Sequence, residues 1–212
     1  IHGDYAIIGA RNQTETISGT ETNGVGAVYI YHRSGTTWTE PDGGAQAKLT
    51  PGTYAGAYNY FGDVVDICGD YAIVGVPRHT PAGSGWKDPG QVHIYHRSET
   101  NGTSTWTEQA VLTSNEDYSS DSEYGNDVAI YSADGEVYAV VGCSKQGARD
   151  SGSNWKSQAG VVHIYHKSGT TWTFKKRIVA NDLNSYDFFG LCVDVNERDI
   201  IVGSPQGGDN DK

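Results

Sequence analysis

Gly90-Gln91-Val92-His93-Ile94-Tyr95-His96-Arg97-Ser98, followed by Thr105-Trp106-Thr107-Glu108, decides how this chain is read, because it occurs three times. Gly26-Ala27-Val28-Tyr29-Ile30-Tyr31-His32-Arg33-Ser34 leads to Trp38-Thr39-Glu40, and Gly160-Val161-Val162-His163-Ile164-Tyr165-His166-Lys167-Ser168 leads to Trp172-Thr173-Phe174. The three tryptophans lie 68 and 66 residues apart. So regular a period marks one supersecondary unit copied along the chain. β-Branched and aromatic residues flank a turn, Ser-Gly in the shorter copies, which predicts a β-hairpin with Trp opening its second strand.

Outward from this hairpin, each full repeat contains four strand-like runs. In the second repeat they are Phe61 to Ile67, Tyr71 to Val76, Gln91 to His96 and Trp106 to Leu112. In the third they are Tyr124 to Tyr131, Val137 to Cys143, Val161 to His166 and Trp172 to Val179. The first copy starts with Tyr5-Ala6-Ile7-Ile8, and the last ends after Asp199-Ile200-Ile201-Val202. Thirteen strands and no helix are expected. The second strands, such as Tyr71-Ala72-Ile73-Val74-Gly75, are near-continuous apolar runs, as in strands covered on both faces. Small four-stranded sheets covered on both faces and recurring every ~65 residues are what stacked propeller blades require. A β-sandwich, the competing reading, needs no copied four-strand unit.

Composition narrows the function. The formal net charge of −11 argues against nucleic acid or an anionic membrane as partner, since both would repel it. No run of 18 apolar residues exists, so direct membrane insertion is not expected. Met is absent and Ile1 falls in mid-pattern, so the chain is expected to be a piece of something longer. Cys68, Cys143 and Cys192 show neither zinc nor redox spacing and lie in or beside apolar strands, which predicts buried thiols.

Phe61-Gly62, Tyr124-Gly125 and Phe189-Gly190 open their repeats, while Gly9-Ala10, Gly75-Val76-Pro77, Gly142-Cys143-Ser144 and Gly203-Ser204-Pro205 close the second strands. Together these resemble the FG-GAP repeat of the integrin α-subunit head. They are closest to the calcium-loop-poor variant of bacterial and algal secreted proteins, which Gly3-Asp4-Tyr5-Ala6-Ile7-Ile8-Gly9-Ala10 and Gly69-Asp70-Tyr71-Ala72-Ile73-Val74-Gly75 match well. The resemblance covers essentially the whole chain. It implies an all-β, extracellular, binding β-propeller, usually seven-bladed. One segment over 1–212 is expected, with repeats at about 1–60, 61–123, 124–188 and 189–212. Seven blades of about 65 residues call for roughly 450, so this is a partial propeller of about three and a quarter blades. It is to be completed by the missing blades of a longer polypeptide or by other chains.

Integrin-type repeats carry calcium in Asp-rich loops between their first two strands, where carboxylates supply the oxygens a hard cation takes. Here those loops read Asp66-Ile67-Cys68-Gly69-Asp70, Ser132-Ala133-Asp134-Gly135-Glu136 and Asp194-Val195-Asn196-Glu197-Arg198-Asp199. Only the last approaches the pattern, making Asp194, Asn196 and Asp199 the metal candidates, although tight turns explain all three loops and no cofactor is required. His32, His96 and His166 share one repeat position, and His93 and His163 another. Strand residues three apart point to opposite faces, so these are read as structural histidines ending a strand. No nucleophile elbow, phosphate loop or zinc-protease motif occurs, so an enzyme is not expected.

The loops hold the binding candidates. Trp86 and Trp155 lie outside the strands in matching contexts, Gly83-Ser84-Gly85-Trp86-Lys87 and Gly152-Ser153-Asn154-Trp155-Lys156. Tyr54, Tyr58, Tyr118 and Tyr186, with Tyr60 and Tyr124, sit in the loops between blades. In propeller topology the two loop sets emerge on one face. Such aromatics suit a protein partner or the stacking of sugar rings; packing of each Trp over its own loop is the competing reading. Asn12 and Asn101 head Asn-x-Thr sequons, which are candidate glycosylation sites in a secreted protein. Adhesion or protein binding is the leading expectation, a lectin-like propeller the second, and a structural subunit of a surface filament the third.

Overall fold

The computed structural model describes residues 1–39, 47–52, 55–80, 89–114 and 121–206. The first sheet opens with β1 (Tyr5–Ala10), and a small hairpin of β2 (Glu15–Ile17) and β3 (Thr20–Thr22) follows. β4 (Ala27–Ser34) then pairs antiparallel with β1, with β5 (Thr37–Thr39) and with β6 (Ala47–Leu49). The fourth strand of this sheet is thus in two pieces. The second sheet holds β7 (Val64–Cys68), β8 (Tyr71–Val76), β9 (Gln91–Thr100) and β10 (Thr103–Leu112) in sequence order.

The third sheet repeats that order with β11 (Val128–Ala133) and β12 (Glu136–Cys143). A two-residue hairpin, β13 (Ala148–Arg149) and β14 (Trp155–Lys156), interrupts it before β15 (Val161–Ser168) and β16 (Thr171–Ile178). β17 (Cys192–Val195) and β18 (Ile200–Gly203) form a final two-stranded sheet. Eighteen strands are therefore present among the described residues rather than thirteen. Two loop hairpins and the split fourth strand make the difference. The central hairpins are also longer than expected. β9 and β10 run on to an Asn101-Gly102 turn, with both residues at positive φ (53° and 75°) as a tight two-residue hairpin turn requires.

The sheets stack face against face in chain order. Val28 and Ile30 of the first sheet pack with Ala72, Val74, Tyr95 and Trp106 of the second. The second sheet's opposite face, Tyr71, Ile73, Val92 and Ile94, packs with Ala139, Val141, Val161 and Tyr165 of the third. Val140 and Val162 then turn away to meet Val193 on β17. Burial on both faces explains why β8 is apolar at every position instead of alternating. The first strands β7, β11 and β17 lie side by side. Asp66 accepts the Ile130 amide (2.8 Å) and Asp127 the Val193 amide (2.7 Å), each tying one first strand to the next. The arrangement is consistent with a β-propeller-like architecture.

At one end the sheets touch through bare backbone. A Cβ on Gly75 would stand 2.3 Å from the Gly125 carbonyl oxygen, and one on Gly142 would stand 2.2 Å from that of Gly190. The Phe-Gly and Gly-Ala-Pro motifs of the sequence are therefore two halves of one inter-sheet contact. Gly90 and Gly160 meet the carbonyls of Tyr124 and Phe189 in the same way, at positive φ, which fixes glycine before each third strand.

Cys68 and Cys143 are buried as expected, but Cys192 is exposed, since none of the described residues covers that face of β17. The repeated histidines lie within longer strands instead of ending them. His32, His96 and His166 each tilt against the tyrosine opposite, Tyr5, Tyr71 and Tyr138, with ring centroids 4.7, 4.9 and 4.7 Å apart.

Candidate functional site

The loops that join one sheet to the next share an unusual backbone. Tyr58, Asp121 and Tyr186 have φ of 60°, 63° and 70°, and two residues on, Tyr60, Glu123 and Phe188 have 59°, 52° and 53°. Left-handed conformations cost a non-glycine residue roughly 1 kcal/mol, so two per loop must be held in place. Buried residues between them do the holding: Asn59, Ser122 and Asp187. Asp187 accepts the Asn184 amide at 2.6 Å, and Asn59 Nδ2 pairs with His79 Nδ1 at 3.3 Å.

Backbone bonds add to this. Tyr58 donates to the Asn23 carbonyl (3.1 Å), and Tyr186 donates to the Ser157 carbonyl (2.9 Å). The outcome is that Tyr58 and Tyr186 point outward, 57% and 54% exposed. Tyr124, one of the loop aromatics expected to be displayed, is fully buried instead. Its hydroxyl donates to that of Tyr165 at 2.8 Å.

Trp155 lies in β14, not outside the strands as expected. Asp150 shapes its hairpin, accepting the Asn154 and Gly152 amides at 2.8 and 2.9 Å; these bonds, the Asn154 amide first, hold its carboxyl below the usual carboxylate range. Arg149 donates to the Ser153 carbonyl (2.8 Å) and places its guanidinium 5.8 Å from the Trp155 ring centre. The indole edge rests on Gly147, where a Cβ would come within 2.1 Å of the ring. Even so Trp155 is 55% exposed, so a fixed indole presents much of its surface to solvent.

Trp155 and Tyr186 occupy adjoining loops. Ser157, two residues beyond Trp155, accepts from Tyr186 through its carbonyl, and its amide donates to Ser185 Oγ at 3.2 Å. Tyr58 holds the equivalent place at the junction of the first two sheets. Trp86, Tyr54 and Tyr118 fall outside the described residues.

The metal candidates form a turn. Asn196 Oδ1 accepts the amides of Arg198 (2.9 Å) and Asp199 (2.8 Å), and Asp194 Oδ1 accepts the Val195 amide at 2.8 Å. Asn196 Oδ1 and Asp194 Oδ1 are thus engaged by backbone. Among the described residues no group of three His, Cys, Asp or Glu converges to hold a metal. Asn12 and Asn101 are both exposed, the latter at the tip of the β9–β10 hairpin.

The two inner histidines differ in surroundings. His93 meets Glu108 through Nδ1 (2.9 Å) and Gln91 through Nε2 (2.7 Å). At the equivalent places beside His163 stand Phe174 and Val161, and neither ring nitrogen of His163 has a hydrogen-bond partner. Burial pushes His163 down to about 4, with the Arg177 charge adding to the effect.

Stacked four-stranded sheets with a repeated junction and displayed loop aromatics define an all-β repeat protein. Residues 172–212 match the FG-GAP repeat family. The match takes in β16, the junction loop, β17 and β18. No curated protein matches the chain.

Proposed function

We propose that this chain is a segment of an FG-GAP β-propeller, about three and a quarter blades, working outside the cell as a non-catalytic binding module. Its partner is a protein, engaged through the loops that follow the second strands and those that join blades. The observation that carries this is the Trp155–Tyr186 pair. Both are more than half exposed and both sit on loops held by backbone hydrogen bonds, so little backbone freedom is lost on binding. Aromatic anchors on a rigid surface are what a protein interface uses as hot spots. The acidic balance of −11 favours a partner with a basic rim.

Binding to arrayed extracellular proteins and to a glycan array, with wild type and a Trp155→Ala/Tyr186→Ala variant, tests the reading. It expects a protein ligand whose affinity falls at least roughly tenfold in the variant while the circular dichroism spectrum is unchanged. Binding to glycans alone, abolished by the same pair, would replace it with the lectin reading.

A further inference from the structure

The junction loops differ in how their charges are settled, and one is left with a surplus. Between the second and third sheets, Lys145 donates to Glu123 at 2.8 Å, so that pair closes on itself. Lys145 stands one residue before Gln146, whose amide donates to the carbonyl ending β12. Arg78 holds the same position in the second sheet, one residue before His79, whose amide donates to the carbonyl ending β8. The place of Glu123 is taken there by Tyr60; both residues have a left-handed φ, 52° and 59°. The first junction thus keeps the cation and lacks its carboxylate.

Tyr60 instead gathers two cations. The Arg78 guanidinium lies 5.2 Å from its ring centre and that of Arg11 5.6 Å, both close enough for the ring to attract a cation. Arg11 is paired with Asp63 at 2.8 Å. Arg78 is exposed and has no carboxylate partner among the described residues. Tyr58 meets Tyr60 edge-on, with ring centres 6.2 Å apart, and is 57% exposed, so an accessible aromatic surface adjoins the free charge.

We propose that Arg78, Tyr60 and Tyr58 form a binding site for an acidic side chain of a protein partner. Arg78 receives the carboxylate through its planar fork of N–H donors, and Arg11 adds positive field beside it. Tyr58 covers the apolar residue next to that acid in the partner's chain. A single carboxylate fits better than a sulfated polysaccharide. The net charge of −11 repels a polyanion, and among the described residues the site offers one unpaired cation. The site runs locally against the charge of the whole chain, so it selects where an acidic group can dock. It lies at a different junction from Trp155 and Tyr186 and stands independently of them.

An array of random heptapeptides and an array of sulfated glycans, probed with the whole chain, test this. The proteins compared are wild type, Arg78→Gln, Arg78→Lys and Lys145→Gln. Arg78 is exposed, so its variants keep the wild-type melting temperature. Wild type selects peptides containing Asp or Glu, and their Asn or Gln counterparts bind roughly tenfold or more weakly. Arg78→Gln loses the same factor on the acidic peptides and Arg78→Lys recovers part of it. Lys145→Gln binds as wild type does, because the charge it removes is already paired. Selected peptides without an acid overturn the proposal, and so does an array on which wild type binds nothing. Acidic-peptide binding that survives Arg78→Gln, or falls equally in Lys145→Gln, overturns it too. Arg78-dependent binding to sulfated glycans alone would assign the site to a polyanion instead.

Discussion

Trp172 meets the ring of Tyr71 edge-on across the boundary between the second and third sheets, with centroids 6.2 Å apart and planes at 81°. Its indole N–H donates to Gln109 (3.0 Å), the residue that bulges out of register in β10. Trp106 and Tyr5 repeat the ring contact at 6.0 Å and 75°. One aromatic interlock thus recurs between sheets.

Trp106→Ala is accordingly expected to lower unfolding free energy by about 3–5 kcal/mol, since it empties a buried inter-sheet site. Trp38→Ala, at the same repeat position but exposed, should cost under about 1 kcal/mol. Urea unfolding followed by tryptophan fluorescence separates the two. Equal losses would show that the interlock does not set stability.

The glycine contacts give a sharper contrast. Gly142→Ala drives a methyl group onto the Gly190 backbone, and Gly160→Ala adds a left-handed φ of 85° to a similar clash with Phe189. Each is expected to cost more than about 3 kcal/mol and to deplete folded protein. Gly169→Ala, in an open turn at φ 60°, should cost about 1 kcal/mol. Thermal melts of the three variants check the ranking.

Acid should destabilise the fold in a defined window. Burial lowers His79 and His163 from 6.5 to about 4. Between those values the unfolded chain binds protons that the folded chain refuses, so stability is complete above pH 6.5 and falls as pH drops toward 4. Each histidine accounts for about 3 kcal/mol at the lower end. Asp66 and Asp127 act in the opposite sense, because desolvation raises both and protonation then favours the fold. Replacing His163, which has no hydrogen bond and lies across from the Arg177 charge, by Phe should flatten the slope and raise stability at pH 5. His93→Phe should lower it, by stranding Gln91 and Glu108. Chemical unfolding at pH 7 and pH 5 reads both effects.

Asn196→Ala should cost about 1 kcal/mol by removing the acceptor for two turn amides. The loss should be the same in calcium and in excess chelator, as differential scanning fluorimetry will show. A melting temperature that rises with calcium only in the wild type would restore the metal reading of this loop.

Much of the fold was legible because the repeat fixes strand identity locally. Tyr71 to Val76 was bounded correctly from its apolar run and its flanking Gly-Asp and Pro. What escapes are contacts between residues far apart in sequence, 101 for Tyr71 and Trp172 and 96 for Tyr71 and Lys167, which leave no local trace. Tyr71 reads as the start of a core strand, and nothing beside it announces Trp172 and Lys167. Cys192 opens β17 as the half-buried Val64 opens β7, yet it is exposed, since burial there depends on a neighbouring sheet rather than on the strand itself. Trp155 reads as a loop residue from sequence although it lies in β14, because a two-residue strand carries too little pattern to be seen. Left-handed Tyr58 and Tyr186 gave no signal, because tyrosine has no preference for that conformation.

The junction loops carry one further implication. Positions 58, 121 and 186 hold Tyr, Asp and Tyr on the same scaffold of alternating left-handed residues and buried polar anchors. The side chain at each is decoupled from the backbone that displays it. Substitution there can therefore change what the surface recognises while leaving the stack intact, and a copied unit becomes a set of independently editable contact points.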